Sequence, residues 1–113
     1  MGKTMTITNF SEIQTVRIIC NATLKDQMLK AVQDLGATGY TYWDCHGKGR
    51  KEIMANPYVG ASRIYIEIWC DVPTADNIVE YCNRKEFENH GVTAGKEPLL
   101  VHGQEANKFT KKA

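Results

Sequence analysis

The sequence predicts an α+β domain of strand, helix, strand, strand, helix, strand order, and three observations predict it. In SRIYIEIWCD, Ser62 to Asp71, the residues Ile64, Ile66, Ile68 and Cys70 alternate with Arg63, Tyr65, Glu67 and Trp69, the period of a strand with one buried face. Leu24, Met28, Ala31, Val32 and Leu35 recur at helical spacing and form one apolar stripe. Strand and helix patterns then follow one another across 113 residues, a length that suits one domain burying roughly two thirds of its unfolded surface.

The elements can be justified in order. Residues 1 to 12 show no apolar period and read as a flexible N-terminal arm. Ile13 to Asn21 is β-branched and apolar, with Val16, Ile18 and Cys20 alternating with Thr15, Arg17 and Ile19, a strand. Thr23, three residues before Asp26, reads as the N-cap of the first helix, and Gly36 as its C-terminal stop. Thr38 to Cys45 is a second strand, with Tyr40 and Tyr42 on one parity and Trp43 on the other. His46 to Ala61 holds four glycines and prolines and no steady period, so it is a long loop.

Ser62 to Asp71 is the third strand. A second helix follows Pro73, capped by Thr74 or Asp71, with Ala75, Ile78, Val79 and Cys82 on its stripe. Gly91 to Lys96, GVTAGK, reads as another glycine loop, and Glu97 to His102, opened by Pro98, as a last edge strand. Residues 104 to 113 are polar and read as a tail whose one apolar anchor is Phe109. This order is the ferredoxin-like βαββαβ plan over residues 13 to 103, with a four-stranded antiparallel sheet. Right-handed crossovers place both helices on one face and leave the other bare. That bare face carries Tyr65 and Trp69, so self-association through the sheet is expected.

Charge and composition exclude several functions. A formal net charge of +1 gives no general reason to bind nucleic acid. No apolar run approaches the ~20 residues of a membrane span, and the polar start lacks the core of a secretion signal, so the cytoplasm is the expected location. Cys20, Cys45, Cys70 and Cys82 are dispersed without a CxxC pair and read as buried thiols rather than metal ligands. No nucleophile lies beside a base, no carboxylates pair across the glycine loops, and Asp44 with His46 makes no catalytic set, so an enzyme is not expected.

The stretch from Leu35 to Lys51, LGATGYTYWDCHGKGRK, runs from a helix stop through strand residues into a cationic glycine turn. Glycines let main-chain N–H groups face an anion, and Arg50 and Lys51 would neutralise it. A solvated turn whose glycines only supply positive φ remains the alternative on these residues alone.

The motifs resemble those of the PII signalling family. Its L-G-x-T-G-x-T signature, followed by G-x-G-R, stands here as Leu35-Gly36-Ala37-Thr38-Gly39-Tyr40-Thr41 and Gly47-Lys48-Gly49-Arg50. Its I-E-I strand core matches Ile66-Glu67-Ile68, and its glycine-lysine turn matches Gly95-Lys96. The resemblance implies a homotrimer binding adenine nucleotides in intersubunit clefts, with a T-loop, residues 46 to 61, contacting a partner. It implies nucleotide contacts from Gly47, Lys48, Gly49, Arg50 and Lys51 at the T-loop base and from Gly95 and Lys96 in a B-loop, residues 91 to 96. Ile19, Thr41 and Trp69 would border the adenine.

Departures from the family pattern narrow the expectation. The loop is shorter than a standard T-loop, and the family's modifiable tyrosine is not carried over to Tyr58. Ala94 replaces the acidic B-loop residue, and Val101-His102-Gly103-Gln104 stands near the place of the arginine-rich R-I-R-T-G end. Fewer cations favour ADP or AMP over ATP. The chain is similar to the shortened branch associated with bicarbonate transporters or carboxysomes, which implies bicarbonate as a second ligand, against Arg50 or Lys51, and a transporter- or carboxysome-related partner. The competing reading keeps the fold without nucleotide, as a trimeric ferredoxin-like scaffold or metal-tolerance protein.

Overall fold

A computed structural model describes residues 9–47, 62–88 and 90–110 of the chain. In order it has β1 (Phe10–Asn21), a 3-10 turn (Ala22–Leu24), α1 (Lys25–Asp34), β2 (Thr41–His46), β3 (Ser62–Cys70), α2 (Val72–Cys82), a 3-10 turn (Lys85–Phe87), β4 (Thr93–His102), α3 (Gly103–Ala106) and a 3-10 turn (Asn107–Phe109). The four strands form one antiparallel sheet of order β2-β3-β1-β4, the βαββαβ fold the patterning predicts.

Alternation decides which face is buried. Val16, Ile18 and Cys20 of β1 and Ile64, Ile66, Ile68 and Cys70 of β3 are fully buried and share one core with Met28, Leu29 and Val32 of α1 and Ala75, Ile78 and Cys82 of α2. Both helices therefore cover the same face. Burying each such Ile contributes roughly 1.5–3 kcal/mol. Caps fix the helix ends. Asp71 accepts from the Thr74 amide at 3.0 Å, which selects Asp71 of the two caps expected for α2. Gly36 adopts φ 118°, as a residue ending α1 in the left-handed region should.

Five expectations need correction. Thr23 does not cap α1: the side chain of Asn21 accepts from the Thr23 amide and hydroxyl, both at 2.9 Å, and a 3-10 turn intervenes before Lys25. β2 begins at Thr41 rather than Thr38, because β3 offers pairing partners only for Thr41 to His46. Residues 10–12 of the expected arm belong to β1, paired as Phe10↔His102, Ser11↔Val101 and Glu12↔Leu100. β4 begins at Thr93, so Gly95 and Lys96 are strand residues opposite Arg17 and Val16 and not part of a loop; the turn itself lies at Gly91, with φ 70°.

The tail is the fifth correction. Residues 103–109 are helical, with His102 Nδ1 accepting from the Gln104 amide at 3.2 Å. Phe109 packs edge-on to Trp69, with ring centroids 5.2 Å apart, and the Thr38 hydroxyl donates to the Lys108 carbonyl at 2.9 Å. The tail thus covers the Trp69 end of the face expected to be bare. At the other end Trp43 stacks on Tyr65 at 4.5 Å and remains 46% exposed. Most of the T-loop span, residues 48–61, and residues 1–8 of the arm lie outside the described residues.

Cys20, Cys70 and Cys82 are buried as expected, Cys45 is only partly so, and burial pushes the three buried thiols up to about 11, 11 and 12. A thiol raised on folding stabilises the fold fully below its ordinary value, near 9, and the contribution disappears as pH rises through the folded value. Urea unfolding should therefore show stability falling as pH rises from about 9 toward 12, with a smaller fall in Cys82→Ala. Ile66→Ala, in the middle of the core, should cost about 2–5 kcal/mol in the same measurement.

Candidate functional site

Cross-strand register assembles the site on the face away from the helices. Thr41 of β2, Glu67 of β3, Arg17 of β1 and Gly95 of β4 form one row across all four strands. Beside it, on one side, runs the row Trp43, Tyr65, Ile19 and Thr93, and on the other Trp69, Thr15 and Glu97. Side chains in adjacent rows of one face lie two residues apart along each strand, within reach of one another. Ile19, Thr41, Trp69 and Gly95, four of the residues predicted from sequence, thus share one face.

Lys96 does not join them. Its register opposite Val16 puts it on the helix side, where its Nζ lies 2.5 Å from Asp76 Oδ1 of α2. Gly47 lies just past the end of β2, its carbonyl accepting from Arg63 Nε at 3.0 Å. β2 and β4 are the two edges of the sheet, so Gly47 and Gly95 stand on opposite edges of the same chain. Lys48, Gly49, Arg50 and Lys51 lie outside the described residues.

The open face carries a polar chain that motif reading missed. Trp69 Nε1 donates to Glu67 Oε2 at 3.1 Å, Glu67 Oε1 lies 3.8 Å from Arg17 Nε, and Arg17 Nη1 donates to Glu97 Oε2. That last bond is the main cause of the raised pKa of the Arg17 guanidinium. Arg17 interrupts the apolar run TVRIIC and Glu67 interrupts IEI, two charges set in strands, which is the signal that could have marked them. Only the register shows that they meet.

A cavity of about 200 Å³ opens beside this chain, lined by Thr15, Arg17, Gly95, Lys96 and Glu97. Gly95 bounds it without a side chain. Among the described residues a Cβ added there would meet nothing within 4 Å, and its φ is not positive, so neither crowding by them nor backbone geometry demands glycine. A glycine inside a strand leaves room for close approach by a ligand or another backbone. Aromatic surface, hydrogen-bonding groups and an open edge suit a flat ring with a polar substituent. Among the described residues, no cluster of three or more His, Cys, Asp or Glu could hold a metal ion.

The family described as "Nitrogen regulatory protein P-II" matches residues 13–97. Among solved structures, a PII-like signaling protein from Thermus thermophilus is 25% identical, with a TM-score of 0.69 over 86% of this chain and 96% of that one. CPII from Thiomonas intermedia, bound to ADP, AMP and acetate, is 20% identical, with a TM-score of 0.72 over 90% and 98%. The same protein bound to ADP, AMP and bicarbonate is 19% identical, with a TM-score of 0.71 over 90% and 97%. Among curated proteins no sequence matches the chain.

The Phe109 contact is open to direct measurement. Phe109→Ala removes an edge-to-face partner, worth about 0.5–1.5 kcal/mol, from Trp69. The tryptophan emission of the variant should shift to longer wavelength, and amide exchange over residues 103–110 should rise.

Proposed function

Because this chain belongs to the nitrogen regulatory protein P-II family, whose members are regulators and not catalysts, we propose that it is a sensor of adenine nucleotides. Its ligands are ADP or AMP, ahead of ATP, held in the clefts of a homotrimer. The observation that carries this reading is the sheet order. It puts Thr41 and Gly47 on one edge and Gly95 on the other, so the two glycine motifs can grip one ligand only when the β2 edge of one subunit faces the β4 edge of the next.

The open-face row supplies apolar and hydrogen-bonding surface for a base. Arg50, Lys51 and Lys48 would supply charge for the phosphates, and Lys96 can leave Asp76 for a phosphate at little cost, because that ion pair is largely exposed. Arg50 and Lys51 would also take bicarbonate, which CPII of the same fold holds together with ADP and AMP. Binding would alter the fit of the loop over residues 46 to 61 to a protein partner, so that the signal concerns inorganic carbon, through a bicarbonate transporter or a carboxysome-related protein. No helix among the described residues is long and apolar enough to cross a membrane.

Calorimetric titration with ADP and with AMP should give a saturating signal that Arg50→Ala abolishes. At a hundredfold excess over the dissociation constant, either ligand should stabilise the fold by about 2.7 kcal/mol. Bicarbonate should add to that stabilisation only when a nucleotide is present. Absence of heat with every adenylate would refute the sensor.

A further inference from the structure

We propose that Asp76 is a competitive latch on Lys96: its carboxylate holds the ammonium on the helix side of β4, and a nucleotide phosphate must displace it, so that Asp76 sets the affinity of the cleft. The inference rests on the nucleotide-sensor reading and gives a regulatory part to α2, an element to which no motif in the sequence assigns one. Lys96 Nζ lies 2.5 Å from Asp76 Oδ1, a charge-assisted hydrogen bond between residues twenty apart in the chain.

The two partners differ in freedom. Asp76 is presented by a helix fixed on the core, since Thr74, Ala75 and Ile78 are buried and the Asp71 cap holds the helix start. Lys96 reaches it on a flexible four-carbon stem with three rotatable donors. Its strand, β4, is an edge of the sheet, so the stem can turn round that edge with no strand of its own chain in the way. Opening the latch therefore moves one side chain and leaves the backbone where it is. The Lys96 and Asp76 side chains are 37% and 53% exposed, so water solvates the carboxylate that the ammonium leaves behind.

The other cation beside the cavity at the β4 edge is held more firmly. Arg17 lies between two carboxylates, Glu67 and Glu97, whereas Lys96 has the single partner Asp76 among the described residues. Lys96 is thus the cation of the pair that a phosphate recruits. While the latch is closed its charge is withheld, and the apparent affinity falls with the fraction of molecules in which Lys96 is open. An exposed ion pair of this kind favours the closed form by up to about fivefold.

The test is calorimetric titration of the full chain and its Asp76→Ala variant with ADP and with adenosine, which has no phosphate. Asp76→Ala should bind ADP about two- to fivefold more tightly and adenosine no more tightly than the unaltered protein does. A merely structural role predicts the opposite, because a damaged fold weakens binding. Glu80→Ala removes an exposed carboxylate one turn further along α2 and should leave ADP binding unchanged. An equal gain in Glu80→Ala would mean that the general negative charge of the helix, and not the contact with Lys96, holds phosphate off, and would overturn the latch. Unchanged or weaker ADP binding in Asp76→Ala, or an equal gain for adenosine, would overturn the latch alone. Failure of both the unaltered protein and Asp76→Ala to bind ADP would overturn the sensor reading and the latch with it.

Discussion

The constraint on which the structure depends is the alternation of β3. Ile64, Ile66, Ile68 and Cys70 must all leave water, and only a layer built from both helices can cover them. Once α1 and α2 occupy that face, Arg63, Tyr65, Glu67 and Trp69 are committed to the other. The two central strands carry this division, because β3 and β1 pair over eight residues, from Gln14↔Cys70 to Asn21↔Arg63. A slip of one residue would turn the core outward, so burial holds the register, and the register brings Glu67 to Arg17.

The sheet order adds the second consequence. Consecutive β2 and β3 pair as neighbours, but β1 lies between β3 and β4, which sends the two glycine motifs to opposite edges. Edge strands of one chain cannot close on each other across two intervening strands. A ligand gripped by both must therefore lie between copies. Self-association is also the economical solution for Trp43 and Tyr65, stacked and still open to solvent on the face away from the helices.

Much of this was legible in the residues. The βαββαβ order, the buried row of β3, the Gly36 helix stop and, as one of two candidates, the Asp71 cap all follow from local period and local chemistry, which act within a few residues of chain. What was not legible depends on contacts distant in sequence. Nothing near Phe10 or Gly95 announces a strand, because each is drawn into the ladder by a partner strand far away along the chain, Phe10 by His102 and Gly95 by Arg17. Phe109 was visible as an anchor but its dock on Trp69 was not, since that contact spans forty residues of sequence. At the site, glycine and lysine spacing marked Gly47, Gly95 and Lys96. It could not reveal that Lys96 faces α2, nor that Thr15, Arg17 and Glu97 surround one cavity, because strand parity on β4 became readable only with its true start at Thr93.

The claim that one ligand is gripped by two different subunits can be tested by mixing two defective proteins, Arg50→Ala and Lys96→Ala. Neither homotrimer should bind ADP. After co-refolding, mixed trimers would hold clefts in which the intact Arg50 of one chain meets the intact Lys96 of its neighbour, and binding should return at about a quarter of all clefts. If both residues act within one chain, every cleft in the mixture remains defective, and no recovery of binding would contradict the account.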